Sequence, residues 1–364
     1  MTRWMLSYAL ALLSLVGVGW PPRARVDAPR TGIPAEPGAT PGSVRYRATT
    51  SLPWVLPGAF RKAWVEEQGG QVRWASPNRA DVEVPAPRTG HGSRFRIVQV
   101  ADLIIPGREA LMEQFLLEME RLRPDAVLVT GDIAYAESRA WYDAMLGYFR
   151  RLELQGIPVL AAPGNHERKA WPEYLRAFGP LGDHCADLGP LRVISLDSAH
   201  GRDRLTPSQL GWLRDCLERA GDKVTVIQLH HPVFPAGPAQ HGEAGGSGGS
   251  LQGFQKAFVD LCVQHRVAAV LSGHWHADAV FDAQGRLRDD TADFPGPKFI
   301  VTTALGNELR RVTRWPEVHY GYRVLEFEGG RLARYTHGDG PDGKPRPIAS
   351  TPLGLPPGLK EFPR

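Results

Sequence analysis

Five apolar segments of this sequence are each followed directly by residues of the types that bind metal ions or phosphate. In chain order the groups are Asp102, Asp132 with Tyr135 close behind, GNHE at 164–167, HH at 230–231 and GHWH at 273–276. A single aspartate or histidine after a strand most often makes a structural hydrogen bond. Groups of this kind at five strand ends instead indicate one shared ligand site, because ligands collect at the carboxyl ends of strands in α/β sheets.

The spacing within these groups suits a pair of cations. A carboxylate such as that of Asp132 can bridge two ions about 3.5 to 4 Å apart. His274 and His276 stand two residues apart, so on an extended segment both side chains share one side and each can reach a different ion. Glycine precedes Asp132, Asn165 and His274, which allows close approach and backbone angles that other residues avoid.

Alternating strands and helices must bring these residues together. Residues 95–102 have the apolar run of a buried strand, and later segments alternate between helical and strand patterns. One helix is predicted to begin at Thr206, with Pro207 at its first position and Gln209 completing a capping box. The last two strands should form a hairpin that turns at 329–330. This alternation predicts a layered α/β domain whose strand ends carry the polar residues.

Composition limits the classes of partner. A formal charge of +4 comes from 43 lysines and arginines spread along 364 residues, so no nucleic-acid partner is required and anionic substrates are compatible. The three cysteines, Cys185, Cys216 and Cys262, form neither a disulfide framework nor a metal-binding CxxC pair. We expect buried thiols, with a single disulfide as the alternative.

The N-terminal residues have the layout of an export signal. Arg3 precedes an uncharged apolar run over residues 4–20, and two prolines follow that run. The run is also long enough to anchor the chain in a membrane. We therefore expect an exported protein that is periplasmic, extracellular or membrane-anchored and facing outward.

The sequences GDIAY at 131–135, GNHE at 164–167, HHP at 230–232 and GHWH at 273–276 together resemble the calcineurin-like metallophosphoesterase superfamily, and within it the purple acid phosphatase subgroup. The resemblance extends over residues 95–337. It implies an α/β fold of four layers, a sandwich of two mixed sheets flanked by helices, here with a short N-terminal extension.

The resemblance also implies two metal sites that share Asp132 as a bridging ligand. The remaining implied ligands are Asp102, Tyr135 and His276 at the first site and Asn165, His230 and His274 at the second. A carboxylate and a phenolate at the first site favour Fe(III), whereas the amide and imidazoles of the second favour Zn, Mn or Fe(II). A tyrosine ionises near neutral pH only beside such a cation.

Two positions indicate which subgroup of the superfamily the sequence resembles. Most members have a histidine two residues after the first aspartate, but Ile104 stands at that position here. The loss of that histidine together with a tyrosine at 135 matches the purple acid phosphatase arrangement, although that subgroup usually has glycine where Ile104 stands. The alternative interpretation of Tyr135 is a packed or capping aromatic residue.

The implied reaction is hydrolysis of a small phosphorylated substrate by a phosphomonoesterase that uses metal-bound hydroxide. His166 is expected to contact the phosphate and His241 to protonate the leaving oxygen. Glu167 is expected either to hold the imidazole of His166 or to pair with Arg168, and His231 to shape the turn before the proline that follows it. The alternatives are a phosphodiesterase or nucleotidase of the same fold with two divalent ions, and a non-catalytic exported protein that binds metal or phosphate.

The chain is predicted to consist of five parts. These are a signal peptide or membrane anchor at 1–22, a Pro/Arg-rich linker at 23–50, a short β-rich extension at 51–92, a metallophosphoesterase catalytic domain at 93–337 and a Pro/Gly-rich tail at 338–364.

Overall fold

Strands and helices alternate along the chain as the apolar pattern predicts. The structure, a computed structural model, describes residues 44–46, 71–76, 79–84, 94–103, 109–134, 139–171, 174, 182–199, 205–235, 251, 253–289, 293–306 and 321–337. The helices in these segments are α1 (Glu109–Leu122), α2 (Arg139–Glu153), α3 (Asn165–Lys169), α4 (Pro207–Glu218) and α5 (Gln255–Gln264). The strands are β1 (Val44–Tyr46), β2 (Gln71–Ser76), β3 (Arg79–Val84), β4 (Arg94–Val100), β5 (Ala126–Thr130), β6 (Val159–Ala162), β7 (Asp183–Leu188), β8 (Leu191–Ser195), β9 (Val224–Gln228), β10 (Ala269–Ser272), β11 (Ala279–Phe281), β12 (Lys298–Val301), β13 (Arg323–Glu328) and β14 (Arg331–His337).

These strands form two mixed sheets. The larger sheet has nine strands in the order β1-β2-β3-β7-β8-β9-β10-β12-β11, and the smaller has five in the order β14-β13-β4-β5-β6. In the smaller sheet β4, β5 and β6 are parallel, and in the larger β8, β9, β10 and β12 are parallel. The carboxyl ends of neighbouring parallel strands therefore lie along one edge of each sheet, where ligand sites of α/β proteins form.

Three apolar clusters separate four layers. The first cluster packs α1 and α2 against the five-stranded sheet and includes Val98 and Phe115. The second packs α4 and α5 against the nine-stranded sheet. The third lies between the sheets and includes Ile97 and Leu271. Because successive side chains of a strand point to opposite faces, β4 contributes Val98 to one cluster and Ile97 to another. The predicted four-layer α/β sandwich is confirmed.

The N-terminal extension continues the larger sheet. The hairpin of β2 and β3 joins this sheet where β3 pairs in parallel with β7, and β1 pairs with β2. The strand β1 lies within the segment 23–50 that composition indicates as a linker, and β2 and β3 lie within the predicted β-rich segment 51–92. In the described segments no helix is long and apolar enough to cross a bilayer. The apolar run at 4–20 and the tail at 338–364 lie outside those segments.

Local signals in the sequence are also confirmed. At the start of α4 the Thr206 hydroxyl accepts a hydrogen bond from Gln209 N, and Gln209 Oε1 accepts one from Thr206 N at 2.9 Å. The β13–β14 hairpin turns through Gly329 and Gly330, both with positive φ. All three cysteines are buried free thiols, as expected.

Candidate metal centre

The polar residues that follow the parallel strands meet where the carboxyl ends of the two sheets face each other. Hydrogen bonds from Asp102 N to Gly131 O and from Leu103 N to Asp132 O, 3.1 and 2.9 Å long, join the turns after β4 and β5. The residues that meet are Asp102 after β4, Asp132 after β5, Asn165 at the start of α3, His230 after β9, and His274 and His276 after β10.

His230 lies at the centre of one group of side chains. Its Nε2 atom is 3.1 Å from Asn165 Oδ1, 3.1 Å from His274 Nδ1 and 3.3 Å from Asp132 Oδ2. Its other nitrogen, Nδ1, donates to Thr130 O at 2.9 Å. This bond fixes the ring and leaves Nε2 directed at the group, as the bonds around metal-binding histidines do.

Asp102 lies at the centre of the neighbouring group. Its Oδ2 atom accepts a hydrogen bond from His274 N at 2.9 Å, and His276 Nε2 lies 3.3 Å from its Oδ1 atom. Oδ1 is buried, and no described residue donates a hydrogen bond to it. A buried carboxylate oxygen in this state is suited to a cation, because burying a charge is unfavourable unless it is paired.

Backbone strain is concentrated on these residues. In the described segments six residues other than glycine have positive φ, and four of them are predicted metal ligands: Asp102 (50°), Asp132 (50°), His274 (69°) and His276 (55°). Non-glycine residues adopt this region rarely and at a cost of order 1 kcal/mol or more, chiefly at functional sites.

The glycines of the site leave room for the ligands. A Cβ atom on Gly164 would lie 2.2 Å from Asp132 Oδ1, and one on Gly273 would lie 2.7 Å from Asp102 Oδ2. A Cβ atom on Gly131 would lie 2.5 Å from His230 Nδ1. The predicted reason for glycine before the ligands, close approach, is therefore confirmed.

Burial couples the charges of Asp132 and His230. Burial alone would raise the pKa of Asp132, but His230 and His166 hold this pKa below its ordinary value. Burial alone would lower the pKa of His230, but Asp132, Asp102 and the bond to Thr130 raise this pKa to about 9. Without a cation, the two side chains form a buried ion pair.

Glu167 holds the turn that presents Asp132. Its Oε2 atom accepts hydrogen bonds from Gly164 N (2.7 Å) and Asp132 N (2.9 Å), and its Oε1 atom accepts one from Ile133 N (2.9 Å). Burial and the charge of Asp132 raise the pKa of Glu167 to about 7, although these hydrogen bonds oppose the shift.

Neither role predicted for Glu167 is therefore correct. Arg168 pairs instead with Asp197 and stacks on the Trp171 ring, with its guanidinium carbon 3.9 Å from the ring centroid. Glu167 binds Gly164 N, the local cap of α3, and also the N–H groups of Asp132 and Ile133, which only the tertiary structure brings to it. Its position directly after the predicted ligand group was the one signal in the sequence.

The donor set fits two cations. The first group is Asp102, Asp132 and His230, which each offer one nitrogen or oxygen within 4.8 Å of the other two. The second group is His230, His231 and His274, which each offer one ring nitrogen at the same spacing. Carboxylate, amide and imidazole donors of this kind suit Zn, Mn or Fe. His231 is wholly buried, and its Nδ1 atom lies 3.1 Å from Ser198 Oγ, so one of its nitrogens has a protein partner.

Of the remaining predicted site residues, His166 lies in the site, and the other two lie outside the described segments. His166 donates from its backbone N to Asp132 Oδ1 at 3.0 Å, and its Nε2 atom lies 3.9 Å from Asp132 Oδ2. Tyr135 and His241 lie outside the described residues, as does Ile104, so their predicted roles stay predictions.

This chain is similar to known proteins in sequence and in fold. A model of the calcineurin-like phosphoesterase family matches residues 95–278. The glycerophosphodiester phosphodiesterase of Enterobacter lignolyticus (strain SCF1) is 38% identical over 134 residues, which are 33% of this chain and 46% of that protein. The 3′,5′-cyclic adenosine monophosphate phosphodiesterase of Pseudomonas aeruginosa is 30% identical over 230 residues, which are 62% of this chain and 77% of that protein.

A solved structure shares the fold. Purple acid phosphatase from yellow lupin (Lupinus luteus) seeds aligns with a TM-score of 0.57 and 15% identity, covering 76% of this chain and 57% of the lupin chain. This likeness concerns the fold alone. The match to the enterobacterial protein spans less than half of its length.

Proposed function

Because this chain belongs to the calcineurin-like phosphoesterase family, we propose that it is a metal-dependent phosphodiesterase that hydrolyses a small diester of phosphoric acid. The observation that carries the proposal is the position of Asp132. Its Oδ2 atom lies 3.3 Å from His230 Nε2, and one of its oxygens lies within 4.8 Å of donor atoms of both His230 and Asp102. A carboxylate shared by two groups of ligands is the central element of a two-cation hydrolase site.

The choice of a diester rests on the relatives. The two similar proteins carry the names of phosphodiesterases, one for glycerophosphodiesters and one for cyclic adenosine monophosphate. The sequence by itself favoured a phosphomonoesterase of the purple acid phosphatase type and held a phosphodiesterase as the alternative. The relatives support that alternative better, since the lupin enzyme resembles this chain only in fold.

The proposed ligands divide into two sites that share Asp132. They are Asp102 and His276 at one site, with Tyr135 predicted beside them, and Asn165, His230 and His274 at the other. When bound, a pair of cations supplies a nucleophile from water near neutral pH and neutralises negative charge on the phosphoryl oxygens.

The protein's own residues orient the site. His230 is held by Thr130 and presents Nε2, while Glu167 fixes the backbone on both sides of Asp132. His166 is partly exposed, with 12% of its side chain accessible, and its ring faces Asp132. We propose that this ring donates a hydrogen bond to a phosphoryl oxygen, which stabilises the charge that develops there.

Hydrolysis of two model substrates tests the proposal. The protein as purified should hydrolyse bis(p-nitrophenyl) phosphate faster than p-nitrophenyl phosphate, and so should protein that is stripped with a chelator and then supplied with Fe(III) and Mn(II). Asp132→Asn should lower the rate by more than the roughly 10–100-fold that changes around metal ligands cause. Asp260→Asn is the matched control, because Asp260 is exposed on α5, where its side chain pairs with Lys256 at 2.6 Å.

Each other outcome identifies a competing function. Preference for the monoester would favour the phosphomonoesterase, and stoichiometric ion binding without turnover of either ester would favour a non-catalytic binding protein. An Asp132→Asn variant with wild-type activity would overturn the assignment of the site.

The identity of the ions is a separate part of the proposal. We propose Fe(III) at the site of Asp102 and His276, because Tyr135 would add a phenolate to that site. An Fe(III)-tyrosinate absorbs visible light, so the purified protein should be coloured and Tyr135→Phe should be colourless. A colourless, iron-free and fully active wild-type protein would show that two divalent ions occupy the centre.

A further inference from the structure

A buried ion pair lies directly behind the segment that carries His274 and His276. Asp278 comes two residues after His276, at the point where β11 begins. Arg323 is the first residue of β13, in the other sheet. The distance from Arg323 Nη2 to Asp278 Oδ1 is 3.0 Å, and the exposed fractions of the two side chains are 0% and 8%. The pair therefore crosses from one sheet to the other beneath the candidate metal centre.

Other groups hold Asp278 in place. Thr303 N, just beyond β12, donates a hydrogen bond to Asp278 Oδ1 at 3.2 Å. His337 Nδ1, at the end of β14, lies 3.6 Å from the same oxygen. His337 is the register partner of Arg323 across the hairpin, so both approach Asp278 from the five-stranded sheet. One oxygen of Asp278, Oδ1, therefore has partners from both sheets.

Stability alone is a weak explanation for this pair. Removing two charges from water is unfavourable, and replacing both partners of a buried ion pair by uncharged residues is often neutral or stabilising. The backbone of the segment next to the pair is strained, because His274 and His276 both have positive φ, and it must be restrained by its neighbours. Strained backbone of this kind persists only where the surroundings hold it.

We propose that Arg323 is a positioning residue of the metal centre. Through Asp278 it anchors the end of the 274–278 segment, so that His276 Nε2 stays facing Asp102 Oδ1 across the 3.3 Å that separates them. The inference rests on the proposed function, because it assumes that these two atoms hold a cation. Arg323 pairs with Asp278 and acts on the ligands through the backbone on either side of Asp278.

A double variant separates positioning from stability. Arg323→Met with Asp278→Asn removes both charges together, so the urea midpoint of the metal-free protein should stay close to that of the wild type. Titration with Mn(II) against a chelating dye should nevertheless show a loss of affinity of about 10-fold or more in one binding phase. His276→Asn should weaken the same phase, which identifies it.

The matched control is Arg334→Met. Arg334 lies on the same hairpin and pairs with Glu326 at 2.7 Å, but 49% of its side chain is exposed. This variant should keep wild-type Mn(II) affinity in both phases. Asp278→Asn alone preserves the size of the side chain but leaves the Arg323 charge buried without its carboxylate, so this variant should be less stable than the wild type. Its Mn(II) titration, made under conditions where circular dichroism shows it folded, should weaken the same phase.

The outcomes distinguish this inference from the proposed function. Wild-type Mn(II) affinity in a folded double variant or in Asp278→Asn would overturn the positioning role and leave the phosphodiesterase proposal intact. Failure of the wild-type protein to bind Mn(II) at all would overturn the metal centre, and the positioning role with it.

Discussion

Asp132 and His230 depend on each other for their charge. Both side chains are buried, and His230 Nε2 lies 3.3 Å from Asp132 Oδ2. The raised pKa of His230 means that a proton occupies the nitrogen that a cation would bind. In the metal-free protein the charge of His230 therefore offsets that of Asp132, and binding of a cation must displace that proton.

The metal-free protein should lose stability as the pH rises through about 9. The pKa of His230 is about 9 in the folded protein against an ordinary 6.5, so its contribution is fully present below 6.5 and disappears above 9. The difference corresponds to at most about 3 kcal/mol. Urea unfolding in the presence of a chelator, at pH 7 and pH 10, measures it.

His230→Asn is the control for this pH dependence. Burial raises the pKa of the Cys185 and Cys262 thiols, so their ionisation in the unfolded chain also lowers stability at high pH. The slope of stability against pH should therefore be smaller in His230→Asn than in the wild type but should not vanish. Equal slopes would show that His230 does not carry the raised pKa.

Glu167→Gln should destabilise the turn that holds Asp132. The carboxylate accepts from the backbone N–H groups of Gly164, Asp132 and Ile133, and an amide would turn a donor toward one of these donors. A lost hydrogen bond to a buried charged group typically costs about 1.5–3 kcal/mol. We expect a loss of about 2 kcal/mol in the free energy of unfolding, measured in urea.

Glu120→Gln serves as the matched control. Glu120 is exposed on α1 and accepts a hydrogen bond from the Gln155 side chain at 3.1 Å. Its substitution should change the free energy of unfolding by less than about 0.5 kcal/mol. If both variants have wild-type stability, Glu167 does not restrain the turn.

At the scale of elements, the turns after the strands determine the geometry of the site. The turns after β4 and β5 are joined by hydrogen bonds, and α3 begins at the end of β6 with the Glu167 side chain folded back onto Gly164 N. Gly131, Gly164 and Gly273 precede ligands in these turns, because neighbouring atoms fill the space where a Cβ would lie. Four of the ligands themselves adopt left-handed angles.

Gly164→Ala should damage the site by overlap alone. Its φ of −106° is ordinary for any residue, but its Cβ would lie 2.2 Å from Asp132 Oδ1. We expect a loss of about 1–3 kcal/mol in the free energy of unfolding, with weaker Mn(II) binding, measured by urea unfolding and dye competition.

Gly211→Ala is the same substitution at an open position and should have the opposite effect on the free energy of unfolding. Gly211 lies in α4 with nothing within 4 Å of a Cβ atom, so alanine there should stabilise by about 0.5–1 kcal/mol. A harmless Gly164→Ala would show that the site has more room than these distances indicate.

At the scale of the whole molecule, the N-terminal strands form part of the sheet that carries His230 and His274. The strand β3 pairs with β7 along its whole length, from Arg79 opposite Asp183 to Val84 opposite Leu188. An ion pair between Arg219 Nη1 and Asp81 Oδ2, 2.5 Å long, adds a contact to α4. The extension is therefore part of the folded domain.

Truncation tests this conclusion. A chain that begins at residue 91 leaves the edge of β7 unpaired, which favours aggregation and lowers stability. Its thermal midpoint should fall by at least about 5 °C, whereas a chain that begins at residue 41 and keeps β1 to β3 should melt like the full chain. Equal midpoints for both truncated chains would show that the hairpin adds nothing to the domain.

Besides β1, which lies in the predicted linker, the sequence analysis missed β7 and β11, and these two strands show where prediction from sequence ends. The segment of β7, DHCADL, has no apolar run, and β11 has only three residues. Both become strands because they pair with neighbouring strands that are apolar and buried: β7 is antiparallel to β8, and β11 is antiparallel to β12. The strands with uninterrupted apolar runs, such as β5 and β9, were predictable because burial on both faces requires them.

The sequence by itself determined the layered fold, the capped helix α4 and the residues that gather at the strand ends, because apolar periodicity and turn chemistry act locally. The contacts of Glu167 with the turn after β5, the strained angles of the ligands and the pairing of Arg323 with Asp278 could not be predicted from the sequence. Asp278 and Arg323 belong to different sheets and stand far apart in the chain. Such contacts depend on how the sheets pack, which no local pattern specifies.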